Sequence, residues 1–235
     1  DSVTKQLIGT GKIERGYIGA TIQNFTAEMA EAQGMGSQKG AIVADIAPGG
    51  PSSKAGLQIG DVVVAVNGAT IRSSSELTRA VARVRAGDLL KLSVIRDGKP
   101  RTVEIRSGVR PSERELAAND NGQGGRGGLP GATAPSRAPV LGMALGPLDD
   151  AARNRLNLPP EVKGALVESV DTGSDAATKG LRRGDVITRA NDRTVAAPTD
   201  VATELEAAKK AGRSNIVVWV YRNGRTAFLP LKVGG

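Results

Sequence analysis

One segment of the sequence occurs twice, and this constrains the fold more than any other feature. Residues 56–68 read GLQIGDVVVAVNG, and residues 180–192 read GLRRGDVITRAND. The match continues outside these segments at a nearly constant offset, because Gly40 returns as Gly164 and the hairpin sequence Arg96-Asp97-Gly98 returns as Arg222-Asn223-Gly224. Self-similarity at one long offset indicates two copies of a structural unit rather than one large domain.

Both copies predict the same series of elements. A glycine-containing loop runs into a strand, a short capped helix follows, and a strand starting at Gly40 or Gly164 precedes the repeated Gly-Asp strand. A longer helix comes next, marked in the first copy by a Ser-x-x-Glu capping box at Ser73. Asp-Gly and Asn-Gly between β-rich runs then predict a closing hairpin. The predicted helices span 26–34, 73–84, 149–158 and 200–211.

Composition narrows the chemistry that the chain can perform. It contains no cysteine and no histidine, which excludes Cys-His and Ser-His-Asp catalysis within this chain and removes the commonest metal ligands. We therefore expect no peptidase activity of its own, no cofactor and no metal site. Aromatic residues make up only 2 % of the chain, so each small β-rich core must be built from aliphatic side chains.

The formal net charge of +8 favours acidic partners in general. Nucleic acid is not predicted, because the basic residues are scattered and the aromatic residues form no stacking series. A single Gly-Gly-Arg-Gly-Gly at residues 124–128 is the weak alternative. No apolar run approaches the roughly 20 residues that a membrane-spanning helix needs, and no signal-peptide core is present.

The pattern divides the chain into four parts. Residues 1–14 resemble the end of an upstream helix with its connection, and residues 15–107 form the first domain. Residues 108–138 are rich in Gly, Pro and Ser, which predicts a flexible linker. Residues 139–235 form the second domain.

A loop with glycine between apolar residues stands before the first strand of each copy, at Gly19 and at Gly142. Such a loop can turn consecutive backbone N–H groups towards one point, which makes a nest for a carboxylate. The strand that follows can then pair with an extended peptide by β-augmentation. The placement of this loop before both copies favours a peptide-binding function over an ordinary glycine bulge.

The repeated motif Gly-Leu-x-x-Gly-Asp resembles the most recognisable segment of bacterial PDZ domains. Residues 9–19, GTGKIERGYIG, followed by two such units, resemble the C-terminal half of a bacterial HtrA (DegP/DegQ-type) serine protease. The resemblance implies a mainly β fold with α: two PDZ-like domains, each a small partly open β-barrel or sandwich capped by two helices. It also implies an upstream protease domain, homo-oligomers, and a periplasmic role as protease and chaperone in stress and protein quality control.

Carried over by position, the resemblance implies a binding site for C-terminal or extended hydrophobic peptides of unfolded proteins. The second copy departs from the pattern, because Pro139 precedes its loop and Glu204 replaces Ala80. The Glu204 charge would repel an incoming carboxylate, so we expect the second copy to bind such peptides more weakly than the first. The family's nucleophile motif is absent, so no catalytic role is carried onto this chain. The expected peptide-binding residues are Tyr17, Ile18, Gly19, Ala20, Ile22, Leu77, Ala80, Val81 and Val84, and in the second copy Val140, Leu141, Gly142, Met143, Val201 and Leu205.

Two alternatives remain open at this point. The chain could be the tandem PDZ region of another envelope protease, such as a membrane-embedded site-2 metalloprotease, although it has no His-Glu-x-x-His motif. It could also be a non-proteolytic scaffold. The gene sequence upstream of Asp1 would distinguish all three.

Overall fold

The structure, a computed structural model, describes residues 16–109 and 140–234. Contacts divide the chain into two compact units. Of the described residues, the first unit comprises 16–25 and 39–109, and the second comprises 26–38 and 140–234. The helix remnant expected at residues 1–14 and the linker expected at residues 108–138 lie outside the described residues, except for Gly108 and Val109.

The first unit is an antiparallel sheet of strand order β2-β3-β4-β6-β7, with β5 paired to β4. Two helices accompany the sheet, and a separate two-stranded ladder joins β1 to β8. The strands are β1 (Gly16–Tyr17), β2 (Ala20–Phe25), β3 (Gly40–Ile46), β4 (Val62–Val66), β5 (Ala69–Thr70), β6 (Leu89–Arg96), β7 (Lys99–Arg106) and β8 (Gly108–Val109). The helices are α2 (Pro51–Lys54) and α3 (Ser74–Ala82).

Local signals explain most of these elements. The hairpin β6–β7 turns at Asp97 and Gly98, whose φ angles of 49° and 72° are the positive values that a type I′ turn requires. Helix α3 begins after Ser73, whose Oγ accepts a hydrogen bond from the N–H of Glu76 at 3.2 Å. The Glu76 carboxylate reaches back to the N–H of Arg72 at 2.8 Å. The predicted capping box is therefore present, with one difference. The Glu76 carboxylate accepts from the N–H of Arg72 and not from that of Ser73, the N-cap residue.

The second unit repeats the sheet, with strand order β14-β13-β11-β10-β9 and β12 paired to β11. Its strands are β9 (Met143–Pro147), β10 (Ala165–Val170), β11 (Val186–Ala190), β12 (Arg193–Thr194), β13 (Asn215–Arg222) and β14 (Arg225–Lys232). Its helices are α1 (Ala27–Ala32), α4 (Asp150–Arg155), α5 (Asp175–Thr178) and α6 (Pro198–Lys210). Both units match the predicted class, which is mainly β with α.

Helix α1 groups differently from what the repeat predicts. The boundaries inferred from sequence place it in the first domain, whereas its contacts place it in the second unit. The Glu31 carboxylate accepts hydrogen bonds from the N–H of Ser214 at 2.9 Å and from Asn215 Nδ2 at 2.5 Å. Arg213 Nη1 donates to the carbonyl of Ala32 at 2.8 Å. These polar contacts join residues far apart in the sequence, so no local sequence pattern predicts them.

Each unit contains a buried carboxylate from its Gly-Asp turn. Asp61 accepts hydrogen bonds from the N–H of Gln58 and from Arg96, which immediately precedes the hairpin turn. In the second unit, Asp185 makes the same contacts with the N–H of Arg182 and with Arg222. These hydrogen bonds raise the pKa of Arg96 and of Arg222. The repeated Gly-Asp motif is therefore a structural anchor that ties a turn to the closing hairpin.

Helix α6 is capped by a side chain that gives its stability a pH dependence. The Asp200 carboxylate accepts hydrogen bonds from the N–H groups of Ala196 and Ala197 at 2.8 and 2.9 Å, and these bonds lower the pKa of Asp200. A lowered folded-state pKa stabilises the fold above the unfolded value of about 4, and the stabilisation disappears as pH falls through the folded value.

We therefore expect Asp200→Ala to lower the melting temperature at neutral pH and to have a progressively smaller effect below about pH 4. Thermal unfolding of both proteins across this range measures the difference. A difference in melting temperature that stays constant, or that grows on acidification, would show that the ionised Asp200 carboxylate does not stabilise the fold.

Candidate peptide-binding grooves

The first unit has an open sheet edge beside a helix. Strand β2 pairs with β3 and, among the described strands, with no other. Helix α3 packs against β2. An extended chain lying between them could continue the sheet, since an unpaired edge presents a row of free backbone donors and acceptors.

The register of β2 shows which backbone groups face that edge. Ala20 lies opposite Ile46, and the N–H of Ala47 donates to the carbonyl of Gly19 at 2.9 Å. Ile22 lies opposite Val43, whose own N–H and C=O bond to Asp61 and Gly60 on the other side. The pairs Ala20–Ile46 and Ile22–Val43 are therefore non-hydrogen-bonded pairs of the antiparallel ladder. Ala20 and Ile22 consequently direct their N–H and C=O groups away from β3, to the open edge.

The loop before β2 adds further donors at the same place. The carbonyls of Ile18 and Gly19 accept hydrogen bonds from the N–H groups of Ser52 and Ala47, at 2.8 and 2.9 Å. In a trans peptide the next N–H points opposite the carbonyl, so the N–H groups of Gly19 and Ala20 point away from Ser52 and Ala47. Gly19 has a φ of +71°, which favours glycine. This arrangement can hold a carboxylate in a backbone nest.

The expected side chains separate into two layers. Ile18, Leu77 and Val81 are buried in the core, with Leu77 fully covered. A partly buried set packs over them and retains exposed surface: Ala20, Ile22, Ala80 and Val84. The second layer is a partly exposed apolar surface that packs against the core cluster containing Leu77. Tyr17 is half-buried in β1, where it pairs with Gly108.

One residue at this site was missed by sequence reasoning. The Asn24 side-chain oxygen accepts hydrogen bonds from the N–H of Ser74 at 2.8 Å and from Ser74 Oγ at 2.7 Å. These bonds tie the far end of β2 to the start of α3, so they fix the width of the groove. Nothing in the sequence signals a pairing across 50 residues.

The second unit has the matching edge at β9, which pairs with β10 and is accompanied by α6. Val167 bonds through its N–H and C=O to Asp185 and Gly184, and Leu145 lies opposite it. Because the backbone groups of Val167 face β11, Leu145 and Val167 do not bond to each other, and the N–H and C=O of Leu145 face the open edge. Of the expected side chains, Val201 and Met143 are fully buried and Leu205 nearly so, while Val140 and Leu141 pack partly buried against the core.

The first residue of β9 differs from its counterpart in the first unit. The N–H of Met143 donates to the carbonyl of Val140 at 3.0 Å, and the N–H of Val140 donates to the carbonyl of Met143 at 2.9 Å. Leu141 and Gly142 lie between them with φ angles of 54° and 72°. The loop of the second unit is thus a closed two-residue turn.

Glu204, at the position of Ala80, is also not the free charge that the sequence suggested. It is 8 % exposed and pairs with Arg193 Nε at 3.0 Å. Most of its charge is therefore balanced inside the second unit. Repulsion between Glu204 and an incoming carboxylate is correspondingly smaller than the sequence alone implies.

The PDZ domain family model matches residues 16–106 and 139–233. The chain belongs to the PDZ domain family. Each match covers one copy of the sequence repeat.

Within residues 16–109 and 140–234, no group of three or more Asp or Glu side chains could hold a metal ion. In the same ranges, no helix combines the length and the apolar character needed to cross a bilayer.

The chain is similar to proteins named probable periplasmic serine endoprotease DegP-like. It is 35 % identical to the one from Brucella suis over 98 % of this chain and 42 % of that protein. The one from Halomonas elongata is 34 % identical over 98 % of this chain and 45 % of its own length. The chain therefore spans less than half the length of these relatives.

Among solved structures, one described as the HtrA-type protease AlgW with decapeptide is 30 % identical, covering 46 % of this chain and 34 % of that one, with a TM-score of 0.42. A structure of the HtrA3 PDZ domain bound to a phage-derived ligand is 30 % identical, covering 41 % of this chain and 88 % of that one, with a TM-score of 0.36.

Proposed function

We propose that the first PDZ domain binds the free C-terminus of extended hydrophobic peptides, which add to β2 as an antiparallel strand. The observation that carries this proposal is the orientation of Ala20 and Ile22, whose backbone groups face an open edge beside α3. The terminal carboxylate would accept hydrogen bonds from the N–H groups of Gly19 and Ala20. The terminal residue would donate its own N–H to the carbonyl of Ala20.

The side chain of the terminal residue would lie on the partly buried apolar surface between β2 and α3. Ala20 and Ala80 are small and leave room there, while Ile22 and Val84 are large enough to cover an aliphatic side chain. Burying a Val or Leu side chain in such a site contributes roughly 1.5–3 kcal/mol. This surface therefore favours aliphatic C-terminal residues over charged ones.

We further propose that the chain is the substrate-recognition region of an HtrA-type periplasmic serine endoprotease and chaperone. The relatives that it matches along 98 % of its length carry that endoprotease name. These matches favour an HtrA-type endoprotease as the full-length protein over a site-2 protease or a scaffold. In such a protein an upstream protease domain would perform the cleavage, the subunits would form homo-oligomers, and these domains would capture unfolded chains. The periplasm is the compartment that this assignment implies.

The direct test compares two forms of one peptide that ends in valine, one with a free carboxylate and one with a C-terminal amide. Hydrogen bonds to a charged group are worth about 1.5–3 kcal/mol, so the amide should bind roughly tenfold or more weakly. Titration of the full chain, followed by the backbone amide signals of Gly19 and Ala20, measures both affinities. Equal affinities, or shifts confined to residues away from β2, would contradict the proposal.

A further inference from the structure

The glycine loops before β2 and β9 differ in one backbone pairing, that of the residue two positions before the loop glycine. In the first unit, Tyr17 pairs with Gly108 of β8, so it is held away from Ala20. In the second unit, the equivalent residue Val140 forms an isolated bridge with Met143. Met143 occupies the position of Ala20, because each directly follows the loop glycine.

The Val140 bridge uses the same backbone groups that a peptide would need. The N–H of Asp171 donates to the carbonyl of Gly142 at 2.8 Å, just as Ala47 does to Gly19, so the backbone of Met143 points to the edge of the sheet. Both its N–H and its C=O are already bonded to Val140, at 3.0 and 2.9 Å. A peptide that ends at this site would have to replace two existing hydrogen bonds.

We propose that the turn Val140–Met143 is a self-occupied carboxylate site, which keeps the second domain closed to free C-termini until the turn opens. The inference rests on the proposed mode of binding at the first domain and extends it to a regulatory contact in the second. Leu145, further along β9, keeps its backbone directed to the edge. The closure is therefore confined to the end of the groove where a terminal carboxylate would lie.

Leu141 sets the balance between the closed and the open turn. A type I′ turn needs positive φ at both central residues, and Leu141 has a φ of 54°. Leucine pays a steric penalty there, whereas asparagine tolerates this region and β-branched residues avoid it. The matching residue of the first unit is the β-branched Ile18, which does not have a positive φ.

Two substitutions at this residue should move the turn in opposite directions. Leu141→Ile reproduces the first unit's loop and disfavours the closed turn, whereas Leu141→Asn creates the Asn-Gly pair that type I′ turns prefer. Leu141 also packs partly buried against the core. Asparagine loses this packing and isoleucine changes its shape, so a packing effect alone would shift both variants in the same direction.

Hydrogen exchange of backbone amides in the full chain tests the closed turn without any ligand. The N–H of Met143 should exchange at least tenfold more slowly than the outward N–H of Ala20. Leu141→Ile should reduce the protection of Met143 severalfold, and Leu141→Asn should increase it. Equal exchange at Met143 and Ala20, or a loss of protection in both variants, would overturn the proposal.

Titration with the valine-terminated peptide then tests the consequence. The wild-type chain should bind one peptide, at Ala20, and Leu141→Ile should gain a second site at Met143 with at least a severalfold increase in affinity there. Binding at Met143 as tight as at Ala20 in the wild type, or no gain in Leu141→Ile, would overturn the closed-turn inference alone. Absence of acid-dependent binding at Ala20 would instead contradict the proposed function, which keeps the two failures distinct.

Discussion

Replacing Asp61 by asparagine is expected to lower the free energy of unfolding of the first unit by about 3 kcal/mol. Asp61 is fully buried and accepts hydrogen bonds from Arg96 Nε and Nη2, both at 2.6 Å, and from the N–H of Gln58 at 2.9 Å. Asparagine keeps the size of the side chain but removes its charge. The guanidinium of Arg96 would then remain largely buried without a counter-charge, which is the costly half of a broken ion pair.

The second unit supplies a matched comparison. Asp185 makes the same contacts, but 40 % of the Arg222 side chain is exposed, against 17 % for Arg96. Water can solvate the unpaired Arg222 more completely, so Asp185→Asn should cost less, about 2 kcal/mol. Urea unfolding, followed through amide signals assigned to each unit, measures both changes. A cost below about 1 kcal/mol for Asp61→Asn would show that the Gly-Asp motif is not an anchor.

Sequence reasoning succeeded where the determinants are local. The hairpin turns at Asp97-Gly98 and Asn223-Gly224 were predictable because they require positive φ at two adjacent residues, and both pairs adopt it. The cap at Ser73 was predictable for a similar reason, since its partner is three residues away. The repeat extended the hairpin prediction to the second copy, and the two antiparallel sheets confirm the predicted fold class, which is mainly β with α.

The remaining features depend on pairings between distant residues. Arg96 meets Asp61 across 35 positions, so the Gly-Asp motif was visible in the sequence while its partner was not. The short helices α2 and α5 and the ladder between β1 and β8 were also missed, because elements of two to four residues carry no periodicity.

The candidate site shows the same limit. Both loops have glycine between apolar residues, so the sequence pattern predicts a carboxylate-binding loop in each unit. Their difference lies in the partner of the residue two positions before the glycine, which is Gly108 for Tyr17 and Met143 for Val140. No motif in the loop itself encodes that choice. The sequence instead pointed to Glu204 as the reason for weaker binding, and the structure places Glu204 in an ion pair with Arg193.

The proposed strand addition makes a prediction about the ligand's own backbone. In an antiparallel pair, alternate residues direct their N–H groups to the partner strand and away from it. Methylating the N–H of the terminal residue should therefore remove its bond to the carbonyl of Ala20 and place a methyl group against β2. Loss of a hydrogen bond with an acceptor left unpaired costs about 1–3 kcal/mol, so affinity should fall roughly tenfold to a hundredfold.

The most direct test of this account is a comparison of two N-methylated forms of the valine-terminated peptide, titrated against the full chain. Methylation of the last residue should abolish most binding at Ala20, whereas methylation of the penultimate residue, whose N–H faces solvent, should change affinity less than about threefold. The two peptides have the same composition and charge, so each is the control for the other. Equal losses for both, or a greater loss for the penultimate form, would contradict strand addition at β2.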